Sequence, residues 1–319
     1  MTRTMLRWGR WVGSAAIFAV LIWRLGTSPF LDGLRTIDAR ALVAAVLLIV
    51  LTTVCSAWRW KLVAGGLGID LPLPAAVAAY YRSMFLNVTL PGGVLGDVHR
   101  GVSHGRDVSD VGRALRAVAW ERFAGQIMQL VLTVVVLLVL PSPVHSFMPL
   151  AAIALVAAAC CVVLAARRRP GAGRSAWARL RSAVAGDIRE VVLARRAWLG
   201  IALASALSLS GHAVTFLIAA QTAGVTAPAS HVLPLALLVM LIMAVPSVGG
   251  WGPREGGTAW AFGAVGLGAS RGVTTAVVYG VMVLVATLPG AGVLVVSWVR
   301  RIRAAARLQP RIGEKAEHA

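Results

Sequence analysis

Long apolar runs separated by short polar segments dominate this chain. The runs that reach the ~20 residues needed to cross a bilayer span residues 40–58, 114–140, 147–166, 197–223 and 272–298. A shorter run, Trp11–Trp23, follows several arginines, and no small-residue cleavage site leads from it into a soluble domain. We therefore interpret it as a retained first span rather than a signal peptide. The pattern predicts an all-α polytopic membrane protein with about six transmembrane helices.

Two segments interrupt the apolar pattern in the same way. PGGVLGDVHRG, at residues 91–101, and PSVGGWGPREGG, at residues 246–257, each combine proline, several glycines and an arginine near a carboxylate. Irregular backbone at membrane depth leaves polar groups unpaired, which is tolerated only where protein buries them or where they line a water-filled cavity. We therefore expect both breaks to line a cavity inside the protein.

Each break contains candidate turn residues and candidate site residues. The turn residues are Pro91, Gly92, Gly93 and Gly96 in the first break, and Pro246, Gly249, Gly250, Gly252 and Pro253 in the second. Asp97 is placed to N-cap a short helix that bears Arg100, and Pro253 suits the first position of a helix that bears Arg254. A helix N-terminus beside a guanidinium is a phosphate or carboxylate site. The open alternative is that the arginines and their neighbouring carboxylates, Asp97 and Glu255, only neutralise each other, since a charge at mid-bilayer costs at least ~2.5–3.5 kcal/mol.

Composition supports the membrane assignment and locates the charge. Of 319 residues, 58% are hydrophobic and 13% are charged, and the mean hydropathy is +0.80, whereas soluble domains are about one quarter charged. Basic residues concentrate within residues 167–196 and the tail at 299–319, while residues 141–146 and 224–230 carry neither Lys nor Arg. This asymmetry predicts a protein of the cell membrane whose N- and C-termini lie in the cytoplasm. It also favours binding of anionic lipids at the basic loops over nucleic-acid binding, although the net charge is +19.

Counting the crossings between basic loops predicts two re-entrant hairpins, with Arg59 taken as the cytoplasmic end of the second span. Residues 75–105 must leave and return on the cytoplasmic side, as a re-entrant hairpin or as an even number of crossings, and residues 231–268 must enter and return from the outer side. The chain then divides into a first repeat at 1–166, a basic loop at 167–196, a second repeat at 197–298 and a basic tail at 299–319. Two hairpins of opposite sense indicate an inverted-topology repeat, which in transporters places the substrate site near the membrane midplane.

Polar residues also recur at helical spacing inside two of the spans. In the span at 114–140 they are Glu121, Arg122, Gly125, Gln126, Gln129 and Thr133. They form a strip along one helix face, and we interpret the adjacent Glu121 and Arg122 as facing a cavity. In the span at 197–223 they are Ser205, Ser208, His212 and Thr215. Hydrogen bonds between helices are a sufficient explanation of this second strip, and we interpret His212 as a core residue.

The remaining candidate groups give no sign of chemistry. Cys55, Cys160 and Cys161 lie in apolar runs without CxxC or His-paired spacing, so neither a metal site nor a cofactor is expected. Tyr80, near the entry of the first hairpin, is interpreted as an interfacial aromatic, with contact to a lipid head group as the open alternative. No GxxxxGK[ST] motif occurs, so any transport activity would use a gradient or downhill flow of the substrate rather than a nucleotide.

The ordered set of motifs resembles a known family. The motifs are Phe85-Leu86-Asn87, Leu90-Pro91-Gly92-Gly93, Gly96-Asp97 with Arg100, Glu121-Arg122, Val245-Pro246, Gly249-Gly250 and Pro253-Arg254-Glu255-Gly256. Together they resemble the integral-membrane domain family of lysylphosphatidylglycerol synthase/flippase, from about Arg40 to Trp298. The resemblance implies translocation of a lipid between leaflets by a stand-alone membrane domain. We expect the soluble aminoacyl-transferase part of the synthase to be missing, since only a short basic tail follows Trp298.

We therefore expect a lipid translocase, and not an enzyme, that moves an anionic phospholipid or a polyprenyl-phosphate-linked glycolipid. The candidate substrate-binding residues are Asn87, Arg100, Arg122, Gln126 and Arg254, and the candidates that position them or bind a coupling proton are Asp97, Glu121 and Glu255. Two alternatives stay open. One is a non-transporting scaffold for a glycosyltransferase or lipid-synthase partner, in which the hairpin charges are struts. The other is an enzyme that modifies a membrane lipid.

Overall fold

The computed structural model describes residues 19–90, 93–167, 186, 195–244, 252–299 and 303. Within them the secondary structure is helical and contains no strand. The helices are α1 Ser28–Arg35, α2 Ala39–Gly66, α3 Leu73–Thr89, α4 Leu95–Asp107, α5 Val111–Val139, α6 Met148–Arg167, α7 Arg195–Thr222, α8 Ala229–Ile242, α9 Pro253–Ala264 and α10 Ala269–Thr287. A 3₁₀ turn at His145–Phe147 precedes α6, and helical backbone resumes at 289–299 after a turn at Leu288.

Two series of helices have the same order along the chain. A long helix, two shorter helices separated by a break, and another long helix occur as α2–α5 and again as α7–α10. In each series the two short helices pack against each other, and the second of them packs against the long helix that follows. The boundaries of the repeats at 1–166 and 197–298, and the inverted orientation of the repeats in the membrane, stay predictions.

The first long helix of each series ends in the same way. Gly68 follows α2 with a φ of +72°, and Gly224 follows α7 with a φ of +79°. In both places the next amide donates to the carbonyl five residues earlier, at 2.9 Å after α2 and at 3.0 Å after α7. This end favours glycine because its left-handed backbone is strained for other residues. Pro72 and Pro228 then occupy the N-cap positions of α3 and α8, so each hairpin begins at a defined place.

Aspartate side chains fix the start of both long helices of the first series. Asp38 Oδ1 accepts a hydrogen bond from the amide of Ala41 at 2.6 Å, and Asp110 Oδ1 accepts one from the amide of Arg113 at 2.8 Å. Such caps satisfy amides that have no partner inside the helix. The cap at Asp110 sets where α5 begins.

The two series meet where α2 packs against α7. A Cβ added at Gly211 of α7 would lie 2.3 Å from Cγ2 of Thr52 on α2, and small residues permit this close approach of membrane helices. Two apolar cores lie mainly in one series each, and each also includes a residue of the other series, Ile201 in the first and Ala45 in the second. Trp60 lies in the core of the first series, and Phe216 and Phe262 lie in that of the second. The two series therefore meet both through small and polar residues, at Gly211 and Thr52, and through apolar residues such as Leu62, which lies close to Gly200.

The predicted spans agree with the long helices. Four helices in the described part of the chain are long and apolar enough to cross a membrane: Ala39–Gly66, Val111–Val139, Trp198–Thr222 and Ala269–Val299. They coincide with the spans predicted at 40–58, 114–140, 197–223 and 272–298, so the chain is a multi-pass membrane protein. Helix α6 occupies the span predicted at 147–166, and most of Trp11–Trp23 lies outside the described residues. The total number of spans and the re-entrant course of 75–105 and 231–268 stay predictions.

Candidate functional site

An ion-pair network joins the first break to the helices around it. We call it the arginine network, and its members are Arg59 of α2, Asp97 and Arg100 of α4, and Glu121 and Arg122 of α5. Glu121 is fully buried at its centre. Oε1 of Glu121 accepts hydrogen bonds from Nε of Arg59 at 2.9 Å and from Nη2 of the same side chain, while Oε2 accepts one from Nη2 of Arg100 at 2.5 Å. One carboxylate therefore pairs with two buried guanidiniums.

Asp97 links the network to the end of α3. Its Oδ1 accepts hydrogen bonds from Oγ of Ser83 and from Nε of Arg100, both at 3.0 Å. Its Oδ2 accepts one from Nδ2 of Asn87 at 3.0 Å and pairs with Nη2 of Arg122 at 2.5 Å. The prediction that Asp97 caps α4 is wrong, because no side chain caps this helix. The carboxylate lies in the first turn of α4 and turns toward α3 and α5, where four donors satisfy it.

Arg100 is enclosed between two aromatic rings. Its guanidinium carbon lies 4.6 Å from the ring centre of Trp60 and 4.4 Å from that of Tyr80, a cation–π arrangement on both sides. The Arg100 side chain has no exposed surface. Tyr80 also donates a hydrogen bond to Oε1 of Glu121 at 3.3 Å and is only 5% exposed. The interpretation of Tyr80 as an interfacial aromatic is therefore wrong, because its ring packs against a buried charge.

The first break is closed by contacts between the ends of α3 and α4. Oδ1 of Asn87 accepts a hydrogen bond from the amide of Gly96 at 2.8 Å. A Cβ at Gly96 would lie 2.1 Å from the carbonyl oxygen of Ser83, so only glycine fits there. Gly93 has a φ of +63°, which also favours glycine. Pro91 and Gly92 lie outside the described residues.

The arginine network carries one more positive charge than negative. It contains three guanidiniums and two carboxylates. The side chains of Arg59, Arg100, Asp97 and Glu121 are at most 8% exposed, whereas that of Arg122 is 46% exposed. The surplus charge is therefore accessible at Arg122 and buried elsewhere.

Arg122 opens into a cavity of about 300 Å³ between the two series of helices. The lining residues are Thr52, Thr53, Ser56, Arg59, Tyr80, Met84, Arg122, Gly125, Gln126, Gln129, Ser205, Ser208, Leu209, His212, Met240, Met243, Ala244 and Tyr279. The polar strip on α5 thus faces the cavity through Arg122, Gln126 and Gln129. Gly125 makes room for a neighbouring charge, since a Cβ there would come within 3.0 Å of the Arg59 guanidinium.

The opposite wall of the cavity belongs to the second series. His212 of α7 and Tyr279 of α10 both line it, and Nδ1 of His212 lies 3.1 Å from Oη of Tyr279. Ser208 lies one turn earlier on α7, with its Oγ 3.1 Å from Oγ of Ser56 on α2. The interpretation of His212 as a core residue is therefore wrong, because the polar strip of α7 faces the cavity rather than only a neighbouring helix.

The second break holds an ion pair between two neighbouring residues, Arg254 and Glu255. Pro253 is the first residue of α9, as predicted, and Gly252 before it has a φ of +95°. Oε1 of Glu255 accepts hydrogen bonds from Nη2 and Nε of Arg254 at 2.6 and 2.9 Å, and Oε2 accepts one from the amide of Gly252 at 2.6 Å. A Cβ at Gly280 of α10 would lie 2.3 Å from Nη2 of Arg254. This pair is electrically neutral and buried, and neither member lines the cavity. Pro246, Gly249 and Gly250 lie outside the described residues.

The cavity brings together only some of the predicted site residues. Arg122 and Gln126 line it, whereas Asn87, Arg100 and Arg254 do not. The three carboxylates Asp97, Glu121 and Glu255 do not line it either, and each is held by several donors. The interpretation of Glu121 as facing the cavity is therefore wrong, because its side chain is fully buried between Arg59 and Arg100. These contacts are all between residues of the protein and do not test substrate binding, so the binding and positioning roles stay predictions.

Arg59 is a site residue that the sequence did not indicate. The sequence predicts that Arg59 ends the span at 40–58, but α2 continues to Gly66 and buries this arginine. The helix continues through this charge because Glu121 and Ser205 accept its hydrogen bonds, the latter at 3.1 Å. The neighbouring Trp60, fully buried, is the one local signal that this stretch lies inside the protein.

Comparison with known proteins identifies a family. The family model described as the lysylphosphatidylglycerol synthase TM region matches residues 11–290. No curated protein matches the chain at a significant level. The matched segment includes both breaks, the whole arginine network and every residue that lines the cavity.

Proposed function

The chain belongs to the lysylphosphatidylglycerol synthase TM-region family, and from this premise we propose that it is a lipid translocase. It moves a lipid with an anionic head group, either a phospholipid or a polyprenyl-phosphate-linked glycolipid, between the leaflets of the plasma membrane. It is not an enzyme, since the lipid crosses unchanged. The N- and C-termini are cytoplasmic, the basic segments 167–196 and 299–319 bind anionic lipids, and a glycosyltransferase or lipid synthase that makes the lipid is the expected partner.

The surplus positive charge at Arg122 carries the proposal. A cation inside a membrane protein is unfavourable by at least ~2.5–3.5 kcal/mol unless an opposite charge or water offsets it. The carboxylate that pairs with Arg122, Asp97, also pairs with Arg100. A phosphate in the cavity would supply the missing negative charge, and a planar guanidinium binds phosphate through two parallel hydrogen bonds.

Asp97 allows Arg122 to exchange partners. If Arg122 turns toward a head group, Asp97 keeps the hydrogen bonds from Ser83, Asn87 and Arg100. The exchange therefore leaves no buried carboxylate without donors, which would otherwise be strongly destabilising. In this proposal Arg122 and Gln126 bind the head group, while Arg100 and Glu121 hold the surrounding network in place.

The position of the cavity suits alternating access. Its walls come from both series of helices, and in transporters built from two repeats, access alternates when one repeat moves against the other around a central site. The head group would occupy the cavity while the acyl or prenyl chains stay in the bilayer. The Arg254–Glu255 pair braces the second break. We expect a gradient or the lipid's own concentration difference to drive net movement.

Translocation by reconstituted protein tests the proposal. Purified chain in liposomes should move fluorescent phosphatidylglycerol across the bilayer, measured by loss of fluorescence when an impermeant reductant is added outside. Arg122→Gln should slow this by about 10- to 100-fold, because hydrogen bonds to a charged group contribute about 1.5–3 kcal/mol. Arg113→Gln is the matched control, since Arg113 lies on the same helix, is 47% exposed and also pairs with an aspartate, at 3.2 Å.

Two results would contradict the proposal. Wild-type protein that leaves the rate of lipid movement unchanged, while remaining folded and monodisperse, would favour the scaffold alternative. Equal rates for Arg122→Gln and Arg113→Gln would show that the surplus charge at the cavity plays no part in movement of the lipid.

A further inference from the structure

The cavity walls hold hydrogen-bonding side chains but, among the described residues, no carboxylate. Asp97 and Glu121 lie behind the wall, where the arginines and other donors occupy their oxygens. Residues 245–251, which follow Ala244 at the rim, contain neither Asp nor Glu. Arg59 and Arg122 are the charged groups of the described wall. A cationic substituent on a ligand would meet these two like charges and no carboxylate.

One donor on the cavity wall lacks an acceptor. Nε2 of Gln129 is buried and has no hydrogen-bond partner in the part of the chain that the structure describes. A buried donor without a partner costs about 1–3 kcal/mol, so an oxygen-bearing ligand group beside Gln129 would be stabilising. Gln129 lies on the same face of α5 as Gln126 and Arg122, because residues three and four apart lie one above another on a helix. The wall therefore presents a guanidinium followed by two amides in a row.

We propose that the cavity selects a lipid with one phosphodiester and an uncharged, hydroxyl-bearing substituent, such as glycerol or a sugar, and disfavours a head group that carries an ammonium. The phosphodiester pairs with Arg122, and the substituent's hydroxyl oxygens accept hydrogen bonds from Gln126 and Gln129. This selection rests on the proposed lipid-translocase function and specifies its substrate class.

The charge balance sets the number of phosphates. The arginine network has one positive charge in surplus, and a phosphodiester carries one negative charge, so the two together are neutral. A pyrophosphate would leave negative charge uncompensated in a region of low dielectric constant, which is unfavourable. The volume of about 300 Å³ lies at the small end of ligand pockets, which suits one polar head group rather than a whole lipid.

Binding measurements with a series of lipids test the head-group preference independently of transport. Short-chain dihexanoyl lipids would be titrated onto the full-length chain in detergent, with phosphatidylglycerol, phosphatidylcholine and lysyl-phosphatidylglycerol as the probes. We expect phosphatidylglycerol to bind at least about 10-fold more tightly than either lipid that carries an ammonium. Dolichyl or polyprenyl phosphate-hexose, added as a competitor, distinguishes a glycolipid substrate from a glycerophospholipid, because the preferred one displaces the other at lower concentration.

A single isosteric substitution should change the selectivity. Gln126→Glu introduces a carboxylate into the cavity wall with almost no change in shape. It should lower the affinity for phosphatidylglycerol and raise that for the ammonium-bearing lipids, so that the ratio between them falls by about 10-fold or more. Gln221→Glu is the control, because Gln221 lies exposed at the end of α7 and outside the cavity. The ratio of affinities for the two kinds of lipid should be the same in this variant as in the wild type.

The outcomes distinguish this inference from the proposed function. Equal binding of phosphatidylglycerol and phosphatidylcholine by wild-type chain, or an unchanged ratio in Gln126→Glu, overturns the selection even when the protein translocates lipid. Selective binding without any translocation supports the selection and instead overturns the translocase function. Tighter binding of lysyl-phosphatidylglycerol than of phosphatidylglycerol also overturns the selection.

Discussion

The first and second breaks share their proline and glycine pattern but differ in charge. The first lies beside a network of three guanidiniums and two carboxylates, whose surplus charge is accessible at Arg122. The second holds one neutral pair, in which Arg254 is 4% exposed and Glu255 is fully buried. Similar motifs in one chain therefore support different roles. We propose that the arginine network beside the first break binds an anion and that the pair in the second break braces the fold.

The difference arises from partners outside the breaks. In the first series α2 and α5 contribute Arg59, Glu121 and Arg122 to the charge of the break. In the second series α10 contributes Gly280, whose lack of a side chain leaves space for Arg254, and Tyr279, which lines the cavity. In the first series the helix after the hairpin adds an exposed cation, Arg122, near the arginine of the break. In the second series the helix after the hairpin leaves space in which Arg254 stays enclosed.

Glu121→Gln should have the largest effect of any single change in the ion pairs of the arginine network and the second break. It removes the carboxylate shared by Arg59 and Arg100, and loss of one partner of a buried ion pair destabilises by about 3–5 kcal/mol. Glu255→Gln removes the carboxylate of only one arginine, Arg254, and should be the milder change. Thermal unfolding and monodispersity in detergent would measure both. If Glu121→Gln is as stable as Glu255→Gln, Glu121 is not the centre of the network.

Replacing both members of the Arg254–Glu255 pair should destabilise the protein less than replacing Arg254 alone. Arg254→Met leaves Glu255 charged and buried, whereas Arg254→Met combined with Glu255→Gln removes both charges and keeps an acceptor for the amide of Gly252. Neutral replacement of a buried pair is often close to neutral in stability. We expect the double variant to fold and to translocate lipid within about twofold of the wild-type rate. A folded but inactive double variant would instead make Arg254 a head-group ligand.

Two glycines that make room for guanidiniums test the comparison through packing rather than through charge. Gly280→Ala places a Cβ 2.3 Å from Arg254, and Gly125→Ala places one 3.0 Å from Arg59. Since overpacking costs about 1–3 kcal/mol, Gly280→Ala should lose more stability, with translocation per folded molecule unchanged. Gly125→Ala should lose less stability but slow translocation a few-fold, because Arg59 lines the cavity. The opposite pattern of stability and rate would contradict the assignment of the two roles.

Hydropathy and the proline and glycine positions predicted much of the fold. Four spans coincide with long helices, and Pro253 begins a helix as expected. Helical spacing on α5 also predicted a polar face, and Arg122 and Gln126 line the cavity. These features depend on local sequence, which one chain displays directly.

The charge balance of the site could not be predicted, because it depends on pairs that are distant in sequence. Arg59 and Glu121 are 62 residues apart, and no local pattern indicates that they meet. Arg59 therefore looked like the end of a span, and Asp97 like a helix cap. His212 looked like a core residue for the same reason, since the other wall of its cavity comes from another part of the chain.

A structure of the protein in nanodiscs that contain phosphatidylglycerol tests the central claim most directly. The claim is that the accessible surplus charge of the arginine network beside the first break, and not the neutral pair of the second break, binds the anionic head group. We predict phosphate density within about 3 Å of the Arg122 guanidinium, with Arg254 still paired to Glu255. Phosphate bound at Arg254, with Arg122 still held by Asp97 and no lipid in the cavity, would contradict it.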